Sequence, residues 1–148
     1  MSNKIFNTFT AKETQQLAGD ILAGLLKNPS KGGALVLALS GDLGSGKTTF
    51  TQGIAKALGV RGRVASPTFI IMRNYKLLTI NYKRLYHFDC YRLNKPEEIL
   101  SLGWQEIISN PKNIVVIEWP EKIKKFLPKQ IIYLKFKFLN ENQREIKI

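Results

Sequence analysis

Ala34-Leu35-Val36-Leu37-Ala38-Leu39-Ser40-Gly41-Asp42-Leu43-Gly44-Ser45-Gly46-Lys47-Thr48 joins an unbroken apolar run to a glycine-rich octet. An apolar run without alternation suits a strand buried on both faces. Residues 41–48 match G-x-x-x-x-G-K-T, and they stand where that pattern has meaning, between such a strand and a helix. Gly44 and Gly46 permit the tight turn that aims successive backbone N–H groups at phosphate oxygens. The helix expected from about Lys47 adds its positive dipole end, roughly half an elementary charge. Lys47 offers a compact cation to β- and γ-phosphates, and the Thr48 hydroxyl suits Mg²⁺. This stretch predicts a nucleoside triphosphate site.

The 148 residues amount to a single predicted domain, 1–148, long enough for a real core. No stretch approaches the ~18 apolar residues of a membrane span. Met1-Ser-Asn-Lys-Ile-Phe carries no apolar signal core, so a cytoplasmic location is expected. Cys90 is the only cysteine, which excludes an intrachain disulfide and a thiolate zinc site. The formal charge of +12 invites a nucleic-acid reading. Yet lysines outnumber arginines 17 to six and are scattered, with the largest local excess at Lys122, Lys124, Lys125 and Lys129. A solvated lysine-rich face is favoured over a dedicated groove, with RNA or an acidic partner left open. The acids are few, and only Asp20, Asp42 and Asp89 are aspartates. Candidate metal ligands and bases can therefore be enumerated.

Outward from the glycine loop, residues 5–8 read as a short strand. Thr10 and Glu13 form a capping box that opens a helix with Leu17, Ala18, Ile21, Leu22 and Leu25 on one face. That helix ends near Asn28-Pro29, and Ser30-Lys-Gly-Gly makes the loop into the phosphate-binding strand. The helix after the glycine loop turns Phe50, Ile54, Ala55 and Leu58 inward and stops at Gly59. Ser66-Pro67-Thr68-Phe69 opens an apolar strand over 69–75, and a second strand over 83–88 delivers Asp89. Pro96-Glu97-Glu98 starts a short helix, Gly103 interrupts it, and 104–108 adds a turn. Residues 114–117 form another doubly buried strand, ending in Glu118-Trp119-Pro120. A lysine-rich helical turn runs to Pro128; Ile132, Leu134, Phe136 and Phe138 alternate as a half-buried strand; a last strand covers 144–148. The predicted fold is α/β, a P-loop NTPase-like three-layer arrangement with a mixed, mostly parallel sheet and helices on both faces.

Nucleotide-hydrolysing folds of this kind end a second apolar strand in a carboxylate near the metal. The run that fits here is 114–117, and its carboxylate is Glu118. Glu118 is expected to contact Mg²⁺, hold one of its waters, or orient the attacking water; the plain alternative is a surface acid at a strand end. Asp89, at the other strand end, is a candidate water holder or general base, against a simple ion pair with Arg92. Thr68, behind Ser66-Pro67, stands where a segment can sense a γ-phosphate. His87 reads as a hydrogen-bonded structural histidine and Cys90 as packing. Trp119 taken alone reads as core. Asn94-Lys95-Pro96-Glu97 precedes the Glu118 strand and ends in Glu, so it is not the guanine-specifying N-K-x-D.

Gly41-Asp-Leu-Gly-Ser-Gly-Lys-Thr-Thr-Phe50, Ser66-Pro-Thr-Phe69, His87-Phe-Asp-Cys-Tyr-Arg-Leu93, Pro96-Glu-Glu98 with Leu102-Gly103, and Ile117-Glu-Trp-Pro-Glu121 occur in that order. Together they resemble TsaE, the family of bacterial ATPases of tRNA threonylcarbamoyladenosine synthesis. The resemblance implies ATP or ADP and Mg²⁺ as cofactors. It implies Lys47, Asp89 and Glu118 as the residues of hydrolysis, with Thr48 and Glu118 at the metal. Thr10, Ala11, Leu43, Gly44, Ser45, Gly46, Lys47, Thr48, Thr49, Trp119 and Arg144 are the implied nucleotide contacts. It further implies weak ATP hydrolysis that resets a complex of the partners TsaD and TsaB, with tRNA reached indirectly and no membrane. Cys90 stands where the family commonly has leucine, Ser45 where alanine is common, and Trp104 where an aliphatic residue follows Leu-Gly; Trp104 is expected to affect a partner-facing loop.

A stand-alone P-loop kinase for a small metabolite is the competing enzymatic reading, though an arginine-bearing lid is hard to find in the sequence. A basic RNA-binding module with a vestigial nucleotide site is the third.

Overall fold

In a computed structural model that describes residues 3–29 and 32–148, a short strand, β1 (Ile5–Thr8), leads into α1 (Ala11–Leu26). The capping box is present at that junction. Thr10 Oγ1 accepts from the Glu13 amide at 3.0 Å, and the Glu13 carboxylate accepts from the Phe9 amide at 2.7 Å. Ser30 and Lys31 of the predicted connecting loop lie outside the described residues. The chain then runs through β2 (Leu35–Ser40), α2 (Lys47–Ala57), β3 (Met72–Lys76), β4 (Arg84–Asp89), a 3-10 helix (Pro96–Leu102), α3 (Trp104–Ser109) and β5 (Asn113–Glu118). A second 3-10 helix (Pro120–Phe126), β6 (Ile132–Asn140) and β7 (Gln143–Lys147) complete it.

The seven strands form one sheet in the order β1-β7-β6-β2-β5-β4-β3. Its four central strands, β6, β2, β5 and β4, pair in parallel, and the outer strands pair antiparallel. This is the mixed, mostly parallel sheet of the predicted α/β class. All of β5 and residues 35–39 of β2 are buried, as their unbroken apolar runs require. On one face, Ala18 and Leu22 of α1 and Phe50 and Ile54 of α2 pack over Leu35, Leu37, Leu39, Ile114 and Val116. On the other, Val36, Phe88, Val115 and Ile117 are covered by Ile99, Trp104, Ile107 and Ile123, from α3 and the two 3-10 helices.

Two local expectations are corrected. The strand predicted over 69–75 begins only at Met72. Residues 68–71 turn instead, because the Ile70 and Ile71 amides both donate to the Pro67 carbonyl, at 3.0 and 2.6 Å. Ile71 sits at φ 70°, a conformation that no strand and few β-branched residues adopt. Phe138 continues the predicted alternation in β6 but is exposed, whereas Leu134 and Phe136 are buried. Trp104, expected to affect a partner-facing loop, lies inside the fold. It is fully buried, meets Phe88 edge-on at 5.2 Å, and donates from Nε1 to the Phe126 carbonyl at 3.0 Å. The lysine cluster is an exposed face, as expected, and Lys125 pairs there with Glu97.

Candidate functional site

The parallel register places Asp89 beside Glu118 at the C-terminal ends of β4 and β5, while Leu39 of β2 flanks Glu118 on its other side. The loop from β2 to α2 curls over these ends. Its turn into α2 passes through Gly46 at φ 104°, a left-handed N-cap where a Cβ is disfavoured. A cleft of about 420 Å³ opens at this point, as is common outside the carboxyl ends of α/β sheets.

Thr10, Ala11, Leu43, Gly44, Ser45, Gly46, Lys47, Thr48, Thr49, Asp89, Glu118, Trp119 and Arg144 all line that cleft. Lys47 is buried; its ammonium donates to the Gly41 carbonyl and, at 2.9 Å, to that of Asp42. Burial pushes its pKa below the ordinary 10.5, opposed by the charges of Glu118, Asp89, Glu121 and Asp42. The Thr48 hydroxyl lies 3.2 and 3.3 Å from the two Glu118 oxygens. A hydroxyl and a carboxylate converging in this way form an all-oxygen pair, the donor chemistry of a hard cation such as Mg²⁺. The Ser45 hydroxyl is buried in the same loop without a partner among the described residues, a polar group that fits an oxygen-rich ligand.

Asp89 does not pair with Arg92. Its Oδ2 accepts from Ser66 Oγ at 3.0 Å and Thr68 Oγ1 at 2.7 Å, and its Oδ1 from the Tyr91 amide at 3.0 Å. Arg92 instead lies over the Phe69 ring, 4.3 Å from its centroid. Trp119, expected in the core, is only half buried. Its left-handed backbone, φ 59°, turns the chain sharply after Glu118 and sets the indole 4.5 Å from the Lys47 ammonium. Arg144 donates from Nε to the Gly44 carbonyl at 3.1 Å and from its guanidinium to the Asn140 carbonyl at 2.7 Å, tying the loop to the β6–β7 hairpin.

Sequence reasoning did not assign four further residues to this site. Thr8 and Thr14 hydrogen-bond to each other at 2.8 Å in its floor, and Gln143 joins its rim. The fourth is His87, hydrogen-bonded as read from the sequence but to an acid of the site: fully buried, it sets Nε2 2.6 Å from Glu118 Oε2. Strand alternation puts residues 85, 87 and 89 on one face, a usable signal, but only the pairing of β4 with β5 brings that face to Glu118. Cys90 is buried packing, as read from the sequence.

A family described as "Threonylcarbamoyl adenosine biosynthesis protein TsaE" matches residues 8–146. The tRNA threonylcarbamoyladenosine biosynthesis protein TsaE of Rickettsia felis is 43% identical over 124 residues, 83% of this chain and 69% of that one. The protein of the same description from Bacillus subtilis is 39% identical over 111 residues, 75% of this chain and 66% of that one. The crystal structure of Bacillus subtilis YdiB matches with a TM-score of 0.75 at 31% identity, covering 99% of this chain and 84% of that one.

Proposed function

The chain belongs to the TsaE family, proteins of tRNA threonylcarbamoyladenosine biosynthesis, and from that premise we propose that its cleft binds ATP with Mg²⁺ and hydrolyses the nucleotide slowly. The observation that carries this reading is the convergence of Thr48 and Glu118 beside the buried Lys47. A cation, a hydroxyl and a carboxylate meet at the start of a helix, where phosphate is favoured.

In this proposal the backbone amides of 43–48 cradle the phosphates, and Lys47 contributes positive charge to them. Arg144 holds the loop in place through the Gly44 carbonyl. Thr48 and Glu118 hold Mg²⁺, which when bound supplies Lewis-acid stabilisation of charge on the phosphate oxygens. Asp89, steadied by Ser66 and Thr68, orients the attacking water or accepts its proton. Thr10 and Ala11 approach the base, and Trp119 packs against the Lys47 side of the site. Hydrolysis then resets a complex with TsaD and TsaB, and tRNA is met through those partners.

Incubation with γ-labelled ATP tests this. Slow release of inorganic phosphate, accelerated when TsaD and TsaB are added, is the expected result, together with ATP-dependent co-purification of the three proteins. Stoichiometric transfer of label to a metabolite would replace the proposal with a kinase. Tight, steeply salt-dependent tRNA binding without partners would replace it with an RNA-binding module.

A further inference from the structure

Glu118 has two oxygens and several rotatable bonds, so something must decide which oxygen meets a cation. We infer that His87 is the positioning residue that decides it, by donating its Nε2–H to Glu118 Oε2 and leaving Oε1 to the cleft. The inference rests on the proposed role of Glu118 at Mg²⁺.

The contact is 2.6 Å long, between a fully buried imidazole and a carboxylate that is almost as buried. Thr48 Oγ1 reaches both oxygens, but at 3.2 and 3.3 Å, so it does not choose between them. A carboxylate only accepts, so the imidazole proton sits on Nε2. The other nitrogen, Nδ1, is buried without a partner among the described residues. Nε2 is thus committed to Glu118, which is the only polar partner of His87 among the described residues. The fold supplies this arrangement cheaply. β4 and β5 pair in register from Arg84↔Asn113 to Asp89↔Glu118, so the residue one pleat back from Asp89 faces the same layer as Glu118. A clamped carboxylate loses its rotamer freedom before any cation arrives, which favours binding. Outer hydrogen bonds of this type, when removed, typically lower metal affinity about 10- to 100-fold.

His87→Asn and His87→Gln form the decisive pair. The Gln amide nitrogen reaches the position of the histidine Nε2, and the Asn amide does not. The expected result is a roughly tenfold rise, for His87→Asn, in the Mg²⁺ concentration giving half-maximal ATP hydrolysis. His87→Gln restores most of that loss, and nucleotide affinity measured in EDTA is the same in all three proteins. Wild-type Mg²⁺ dependence in a folded His87→Asn overturns the inference. So does equal damage in both variants matched by equal loss of affinity in EDTA, which is what a merely structural histidine would give.

Should His87→Asn fail to fold, the wild-type protein decides the matter. It has one histidine, so ¹⁵N-histidine labelling gives a single imidazole spectrum. A slowly exchanging proton on Nε2 that shifts in Glu118→Ala supports the clamp. A proton on Nδ1, or a signal indifferent to Glu118→Ala, overturns it. Glu118→Ala in the same Mg²⁺ titration separates the two levels: no change there refutes the metal role of Glu118, whatever the imidazole shows.

Discussion

Asp89 and Glu118 are register partners at the ends of adjacent parallel strands, yet their carboxylates serve different neighbours. Asp89 accepts from the hydroxyls of Ser66 and Thr68 and from the Tyr91 amide. Glu118 faces Thr48, at the start of α2, and His87. One acid is therefore coupled to the segment around Ser66-Pro67-Thr68, and the other to the start of α2. Two carboxylates with separate partners can carry separate tasks in one cleft.

That separation predicts different failures. Glu118→Ala should lose Mg²⁺-dependent hydrolysis by about a hundredfold or more while nucleotide binding largely survives. Asp89→Asn should cost turnover by roughly a hundredfold with an unchanged Mg²⁺ requirement. Phosphate-release kinetics over a Mg²⁺ series distinguish the two, and thermal melting checks that both variants are folded. An unchanged rate in either removes that residue from the mechanism.

Lys47→Ala should weaken nucleotide binding itself. A hydrogen bond to a charged group contributes about 1.5–3 kcal/mol, which corresponds to roughly a ten- to hundredfold loss of affinity. Titration with a fluorescent ATP analogue measures it. Undiminished affinity would mean that triphosphate binds elsewhere or not at all.

The centre of the fold was legible because strands buried on both faces read as unbroken apolar runs, and 34–39 and 114–117 are such runs. The glycine loop and Glu118 were legible for the same reason, being attached to those strands, and Asp89 because it closes the strand read over 83–88. The contact between His87 and Glu118 spans 31 positions and depends on which strands pair, which no local pattern encodes. The turn at 68–71 was hidden because Phe69, Ile70 and Ile71 are all good strand formers. There, hydrogen bonds to the Pro67 carbonyl and the anchoring of Thr68 on Asp89 override propensity. The burial of Trp104 was not legible because spacing after Gly103 does not say which way an indole turns. Its edge-on contact with Phe88 does.

Cys90 should be chemically silent in the folded protein. Burial, with the negative charges of Asp89, Glu121 and Glu118, pushes its thiol from the ordinary 9.0 up to about 12. A coloured disulfide reagent at about pH 8 should therefore react only after urea is added. The sign of the stability effect follows from linkage. Above the ordinary value the unfolded chain sheds this proton while the folded chain keeps it, so the contribution is complete below 9.0 and is lost as pH rises towards about 12. The urea midpoint of the wild type should fall over that window more steeply than that of Cys90→Ala.

Gly53 of α2 lies tight against α1, and it sets a contest between propensity and packing. A Cβ there would lie 2.5 Å from the Gln15 carbonyl oxygen, 2.6 Å from Gln15 Cα and 2.8 Å from Ala18 Cβ. Helix propensity favours alanine over glycine by about 1 kcal/mol. Overpacking against backbone that cannot step aside costs about 1–3 kcal/mol, so the net effect of Gly53→Ala should be destabilising. Gly24→Ala, in α1 with nothing among the described residues within 4 Å of the added methyl, should instead stabilise the protein. Urea unfolding of the two variants reads both signs. Because α2 starts at the glycine loop and α1 starts at Thr10 and Ala11, forcing the helices apart also displaces opposite walls of the cleft. Gly53→Ala should therefore lose nucleotide affinity as well as stability, and Gly24→Ala should keep it; a Gly53→Ala protein as stable as wild type would show that the two helices are not held at this distance.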